Sequence, residues 1–328
     1  MIKEDIIKFC NSLGLDTLGF IKCRKFIELK DFLLERKAKG LQNEFEEDDI
    51  EKRINPFLYM EEGKTIISIA FPYLHDVEYY DNGFSVYTRG MDYHKVVKSY
   101  LSKICEYIES LGGKAAAFVD NNFLPERYIA YLAGVGFIGK NNLIITKKYG
   151  SFVFLGEIIT DLEIESDEKR SFKDIERFEE CGECTNCYKK CPSKAINPYR
   201  KNSNICLSYL TQKKELEDKH IKLLDGRVFG CDSCQKPCPY NENISYSPIK
   251  EFYPYNFMNK DNTEELAAIG NSGFKESFLK TSCGWRGKNV LKRNAIIRLS
   301  RDKDISNIKT DSPYLNEYIN RLLKDNQI

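Results

Sequence analysis

Eight of the twelve cysteines lie between Cys181 and Cys238, in an order that could hold two iron-sulfur clusters. The run Cys181-Gly-Glu-Cys184-Thr-Asn-Cys187-Tyr-Lys-Lys-Cys191-Pro192 has the C-x2-C-x2-C-x3-C-P spacing of bacterial two-cluster ferredoxins, whose fourth cysteine serves the other cluster. A second run, Cys231-Asp-Ser-Cys234-Gln-Lys-Pro-Cys238-Pro239, repeats the pattern with one cysteine missing, and the isolated Cys206 is its replacement. The expected ligands are Cys181, Cys184, Cys187 and Cys238 for one [4Fe-4S] cluster, and Cys191, Cys206, Cys231 and Cys234 for the other. Short spacings suit a cubane, because a tight loop brings successive thiolates to different iron corners without long-range closure. Paired C-x2-C also suits zinc, but a zinc reading gives no role to three evenly spaced cysteines followed by C-P. Disulfides are disfavoured: the opening Met1-Ile-Lys-Glu-Asp carries acid where a signal peptide would be apolar, so a reducing, cytoplasmic setting is expected.

These cysteines need elements to position them and a reaction centre to spend their electrons. With 328 residues the chain is long enough for two or three domains, and no apolar stretch reaches transmembrane length. Fifty basic and 49 acidic side chains give a net charge of +1, which excludes a globally basic nucleic-acid binder but not a local basic patch. Ile2, Ile6, Phe9, Cys10 and Leu13 recur at helical spacing and stop at Gly14. Thr65 to Phe71 reads as a buried strand, Tyr93 to Ile108 as a long helix, and Ala115 to Val119 as a strand ended by Asp120-Asn-Asn. A short helix from Pro125 to Ala133 and strands over 143–146 and 152–160 follow. This alternation predicts an α/β or α+β layer with helices on a sheet. Charge dominates from Asp161 to Glu180, the expected connection to the cysteine region; beyond Pro248, 287–300 and 314–324 read as amphipathic helices.

Gly134-Val-Gly136-Phe-Ile-Gly139 matches the dinucleotide fingerprint G-x-G-x-x-G. That motif works only after a strand and at the start of a helix. Here it follows a helix and precedes a strand, so a glycine turn that admits close backbone approach is expected instead. Cys10 and Cys105 lie on apolar helical faces and read as buried thiols, and neither Cys23 nor Cys283 fits a cluster spacing.

The motifs Tyr87-Thr-Arg-Gly-Met-Asp-Tyr-His94, Val119-Asp120, Glu126-Arg127, Ala133-Gly-Val-Gly-Phe-Ile-Gly-Lys-Asn141 and Gly150-Ser-Phe-Val-Phe-Leu-Gly-Glu157, followed by both cysteine runs to Asn241, resemble those of epoxyqueuosine reductases. The resemblance implies a cobalamin-binding catalytic domain over 1–165, a ferredoxin-like double-cluster domain over 166–247, and a small HEAT-like helical unit over 248–328 that contacts tRNA. It implies that epoxyqueuosine at the tRNA wobble position is reduced to queuosine, the last step of queuosine biosynthesis. Electrons would come singly from an external low-potential donor of flavodoxin or ferredoxin type. It places the general acid on Asp120 and the cofactor-binding positions on Arg53, His94, Asp120, Arg127, Lys140, Asn141 and Ser151. Asp92-Tyr-His94 begins like the D-x-H-x-x-G corrinoid motif but has Val97 at its glycine, so His94 is expected to pack or hydrogen bond near the site, not to ligate cobalt. A monomer without membrane association is expected. A corrinoid reductase of dehalogenase type and a plain electron-transfer protein are the alternatives. Arg286, Lys288, Lys292, Arg293, Arg298 and Arg301 form a basic run that could neutralise RNA phosphates.

Overall fold

Thr65-Ile-Ile-Ser-Ile-Ala-Phe-Pro72 is buried at every residue and forms the second strand of the main sheet. The computed structural model describes residues 2–120 and 123–325; the Asn-Asn after Asp120 lies outside them. In chain order the strands are β1 (Leu18–Lys22), β2 (Thr65–Pro72), β3 (Ala115–Phe118), β4 (Phe137–Ile138), β5 (Ile144–Ile145) and β6 (Val153–Thr160). The main sheet has the order β1-β2-β6-β3, and all its pairings are antiparallel. The domain is therefore α+β. The rule that ligands gather at the carboxyl edge of a parallel sheet does not explain the position of Asp120.

The expected strand over 143–146 does not join this sheet. Its central part, β5, pairs instead with β4. The glycine run explains the hairpin: a Cβ on Gly136 would stand 2.5 Å from the Ile145 carbonyl oxygen. Gly134 has φ of 75°, and the Val135 amide bonds back to the Ala130 carbonyl, a glycine helix stop with no dinucleotide geometry.

Both faces of the sheet are covered. Helices α1 (Ile2–Ser12) and α4 (Tyr93–Ser110) pack on the face carrying Ile67, Ile69, Phe71 and Ile158. The other face, with Ile66, Ala70 and Ile159, is covered by α2 (Lys30–Ala38), α3 (Ile50–Ile54) and α5 (Glu126–Leu132). Strand β1 and helix α2 lack a clear sequence signal. β1 is short and interrupted by Gly19, where a Cβ would stand 1.9 Å from the Ala133 carbonyl oxygen, so the approach of α5 requires glycine.

The cysteine region is built from short pieces, including helices Asn186–Lys190, Leu207–Leu210 and Asp218–Leu224. The two expected C-terminal helices are Lys288–Leu299 and Pro313–Asp325; Thr263–Ala268 and Asn271–Glu276 precede them. Leu207, Leu210, Leu224 and Phe229 share one hydrophobic core with Leu291, Ala295, Leu315 and Tyr318, so packing runs continuously from cysteine region to C-terminal helices. Among the described residues no helix is long and apolar enough to cross a membrane.

Candidate active site and cluster centres

Asp120 lies just beyond the end of β3 with φ of 48°, in the left-handed region that Asp and Asn tolerate better than most residues. Its amide donates to Glu126 Oε1 at 2.9 Å, tying the turn to the first turn of α5. Oδ2 receives the Tyr93 hydroxyl and lies 3.1 Å from His94 Nε2. Tyr93 and His94 open α4, whose N-cap is Asp92. The Asp92 carboxylate takes the His94 amide and also lies 2.8 Å from His94 Nδ1. Both nitrogens of the imidazole therefore face carboxylates, which agrees with the expectation that His94 hydrogen bonds at the site. Tyr93 is held flat, stacked on His94 and Phe154 at ring-centroid distances of 4.1 and 4.2 Å.

The charges follow from this contact set. Burial raises the Asp120 carboxyl, but the hydrogen bonds from His94 and Tyr93 outweigh it and hold the group below its ordinary value. Burial likewise opposes charge on His94, yet its bonds to Asp120 and Asp92 raise the imidazole to about 9. At neutral pH the pair is an imidazolium beside a carboxylate, with its proton on His94. Beneath them, Glu157 stands opposite Ser68 in the register of β2 with β6 and receives its hydroxyl at 3.3 Å. Burial, then the charge of Glu126, push Glu157 well above the carboxylate range, so it is a neutral acid.

A cationic cleft adjoins this group. Arg127 donates to the Asn142 carbonyl at 2.6 Å and remains open to solvent. Protein crowds its guanidinium enough to lower its pKa, with Arg36 adding to the effect. Arg36, Arg53, Glu46 and Glu126 are the charges that surround it. Arg53 lies in the same field, and its buried Nη1 pairs with Glu46 Oε2 at 3.5 Å. Burial, then Arg127, lower Lys201 to about 8. Arg36, Arg53, Arg127 and Lys201 crowd this field, an arrangement that suits an anionic or carbonyl-rich occupant.

The cysteines gather as the spacing predicts. Cys181, Cys184, Cys187 and Cys238 line one cavity with Lys140, Asn141 and Tyr240. In the other group, burial raises the Cys206 thiol and nearby Cys231 and Cys191 add to it; Cys234 responds in the same way to Cys206, Cys231 and Cys191. Each group offers four thiols, the donor set of a cubane. The Lys140 amide approaches Cys181 Sγ at 3.4 Å, and Asn141 Nδ2 is buried without a partner at the same cavity.

Of the residues expected at the cofactor, Lys140 and Asn141 lie beside the first cysteine group and Ser151 beside the second cysteine run. Lys140 reaches the Gly182 and Cys184 carbonyls, and Asn141 faces the first cluster. Ser151 is buried and spent on Asn241 and Gln235, which stitches β6 to the second cysteine run. The basic run also changes meaning. Arg293 is fully buried, bonded to the Lys213 and Lys214 carbonyls and the Tyr314 hydroxyl, and Arg298 bonds the Gly226 and Asp81 carbonyls. These two hold the fold and are not free for phosphates. Tyr93, Glu157 and Lys201 went unassigned in the sequence, and only the adjacency of Tyr93 to Asp92 and His94 could have flagged any of them. Cys10, Cys23, Cys105 and Cys283 are free and buried.

Site and cysteine geometry define a double-cluster iron-sulfur protein with an acid-base group beside a cationic cleft. Residues 180–241 match the 4Fe-4S double cluster binding domain, and residues 53–121 match epoxyqueuosine reductase QueG, DUF1730. The chain is 37% identical to the epoxyqueuosine reductase of Listeria monocytogenes over 315 residues, covering 92% of this chain and 81% of the relative. With that of Bacillus subtilis it is 35% identical over 317 residues, covering 93% and 80%. A solved epoxyqueuosine reductase with a tRNA-Tyr epoxyqueuosine-modified tRNA stem loop superimposes with a TM-score of 0.87 at 34% identity, covering 98% of this chain and 90% of that one. The chain belongs to the epoxyqueuosine reductase family.

Proposed function

We propose that this protein reduces epoxyqueuosine to queuosine in tRNA, with cobalamin in the cationic cleft and two [4Fe-4S] clusters as the electron supply. The observation that carries the reading is the Asp120–His94–Tyr93 group, poised beside the cations Arg36, Arg53, Arg127 and Lys201, in a chain of this family. Bound cobalamin would supply the low-potential centre at which the epoxide carbon–oxygen bond is opened, and the clusters would deliver electrons to it one at a time. Asp120 would orient towards the departing oxygen, with His94 as the store of the proton that Asp120 hands on and Tyr93 fixing the carboxylate. Removal of the oxygen as water takes two electrons and two protons, so a positioned donor is required. Arg53 and Arg127 would hold polar groups of the corrinoid, and Lys140 and Asn141 would border it from the cluster side.

On this reading residues 1–165 are the catalytic domain, 166–247 the ferredoxin-like domain and 248–328 a small HEAT-like unit on the RNA side. A cytoplasmic monomer served by a flavodoxin or ferredoxin completes it. The test is an anaerobic assay of cluster-loaded protein with cobalamin, a low-potential reductant and epoxyqueuosine-containing tRNA, read by mass spectrometry of the nucleosides. Cobalamin-dependent queuosine is expected; no conversion by protein with bound, reducible cobalamin would reject the substrate.

A further inference from the structure

The chain has one tryptophan, Trp285, and it is 53% exposed, beside Phe45 at 43%. Leaving two large rings in water forgoes the packing that usually hides them. The rings meet edge to face at 5.4 Å and 68°, and Phe45 meets Tyr209 at 5.3 Å and 72°. The Arg286 guanidinium lies over both exposed rings, 5.3 Å from the centroid of Phe45 and 4.7 Å from that of Trp285. Gln212 clamps the assembly: its side-chain oxygen takes the indole N–H at 3.1 Å and its carbonyl takes Arg286 Nε at 2.6 Å. Arg286 also pairs with Glu44 at 3.6 Å, so the surface is aromatic, with a guanidinium held in place before any partner arrives.

Two neighbours give this patch a direction. Arg286 also lines a cavity of about 500 Å³ with Lys214, Lys288 and Tyr314, where Glu215 is the one acid. Phe45 adjoins Glu46, which pairs with Arg36 and Arg53 in the cleft. The patch is therefore joined through one peptide bond to the residue that pairs with Arg36 and Arg53 at the candidate site. A fixed aromatic-guanidinium surface beside cations suits an unstacked base with its phosphate, since every base offers a π face and single-stranded loops splay theirs.

We propose that Phe45, Trp285 and Arg286 form a stacking platform for a base of the tRNA anticodon loop other than the one reduced, and that Lys214 and Lys288 hold its backbone. This rests on the RNA substrate proposed above. The experiment measures holoenzyme binding to an anticodon stem loop over a range of salt, and turnover of epoxyqueuosine tRNA, for Trp285→Ala, Trp285→Phe and Phe45→Ala. Iron content of about eight per chain and unchanged thermal unfolding confirm folding of each variant. Trp285→Ala is expected to weaken binding about 5- to 150-fold. Its KM for tRNA should rise in step while kcat at saturating tRNA holds, and Trp285→Phe should restore most of the loss. The salt slope should stay the same in Trp285→Ala and become shallower in Lys214→Ala. RNA affinity and KM equal to wild type in both alanine variants would overturn the platform. A raised KM for the reduced electron donor with RNA affinity intact would overturn it too, assigning the surface to a protein partner. Failure of the wild-type holoenzyme to bind any stem loop would instead remove the RNA reading itself, and the platform with it.

Discussion

At the scale of single residues, the proton store makes the sharpest demands. Asp120→Asn keeps the shape of the turn but loses the anion that pairs with His94. Turnover should fall about 10²- to 10⁴-fold with clusters and cobalamin retained, measured as queuosine formed per cluster-loaded protein. His94 adds a pH signature. Its folded pKa is raised from 6.5 to about 9, so the stability it contributes is full below the lower value and is lost as pH rises through the upper one. Activity that draws on its proton should decline above pH about 9, and His94→Gln should lack that limb. Glu157 works with the same sign at lower pH: its raised carboxyl stabilises the fold below its ordinary value of 4.5 and costs stability above it. Glu157→Gln keeps the neutral shape, so its unfolding temperature should exceed wild type by a few degrees near pH 8 and match it near pH 4. Asp120 and His94 were legible only through motif resemblance, because an Asp after a strand is ordinarily a turn residue. Glu157 could not be read at all, since its neutrality depends on burial in β6 and on Glu126, a residue distant in sequence.

Elements were legible where one hydrophobic period ran long enough. Helix α4 and strand β2 match the sequence reading to within two residues at each end, because an apolar stripe on 18 residues and a β-branched, mostly apolar run of eight leave little choice. β1, β4 and the pairing of β4 with β5 were not, as two to five residues beside glycines carry no usable period and their pairing comes from tertiary approach. The cysteine region was legible by chemistry, not by period. Its isolated member, Cys206, opens the helix Leu207–Leu210 and sits beside Cys231 and Cys191. Cys206→Ala should therefore lower iron from about eight to about four per chain, with the spectrum of one cubane remaining. Iron unchanged would overturn the ligand assignment.

Across the whole molecule the two clusters rest on different supports. Cys181 and Cys238 pack against the core of α5 and the β4–β5 hairpin, whereas Cys206 and Cys231 pack against the core shared with the C-terminal helices. No sequence pattern announces this, because the shared core joins Phe84, Leu207 and Leu291 across two hundred residues. Arg293 links these parts. It is fully buried on helix Lys288–Leu299 and donates to the carbonyls of Lys213 and Lys214, a few residues beyond Cys206. Arg293→Ala removes the donor to the Lys213 carbonyl, leaves that of Lys214 to the Tyr314 hydroxyl alone, and opens a cavity, which should cost roughly 3–5 kcal/mol. The damage should be one-sided. The cluster of Cys191, Cys206, Cys231 and Cys234 should be lost first on mild oxidation or heating, while that of Cys181, Cys184, Cys187 and Cys238 persists on its N-terminal support. Iron analysis with electron paramagnetic resonance along a thermal ramp would show two steps in Arg293→Ala where wild type shows one; simultaneous loss of both clusters would mean that the two supports behave as one body.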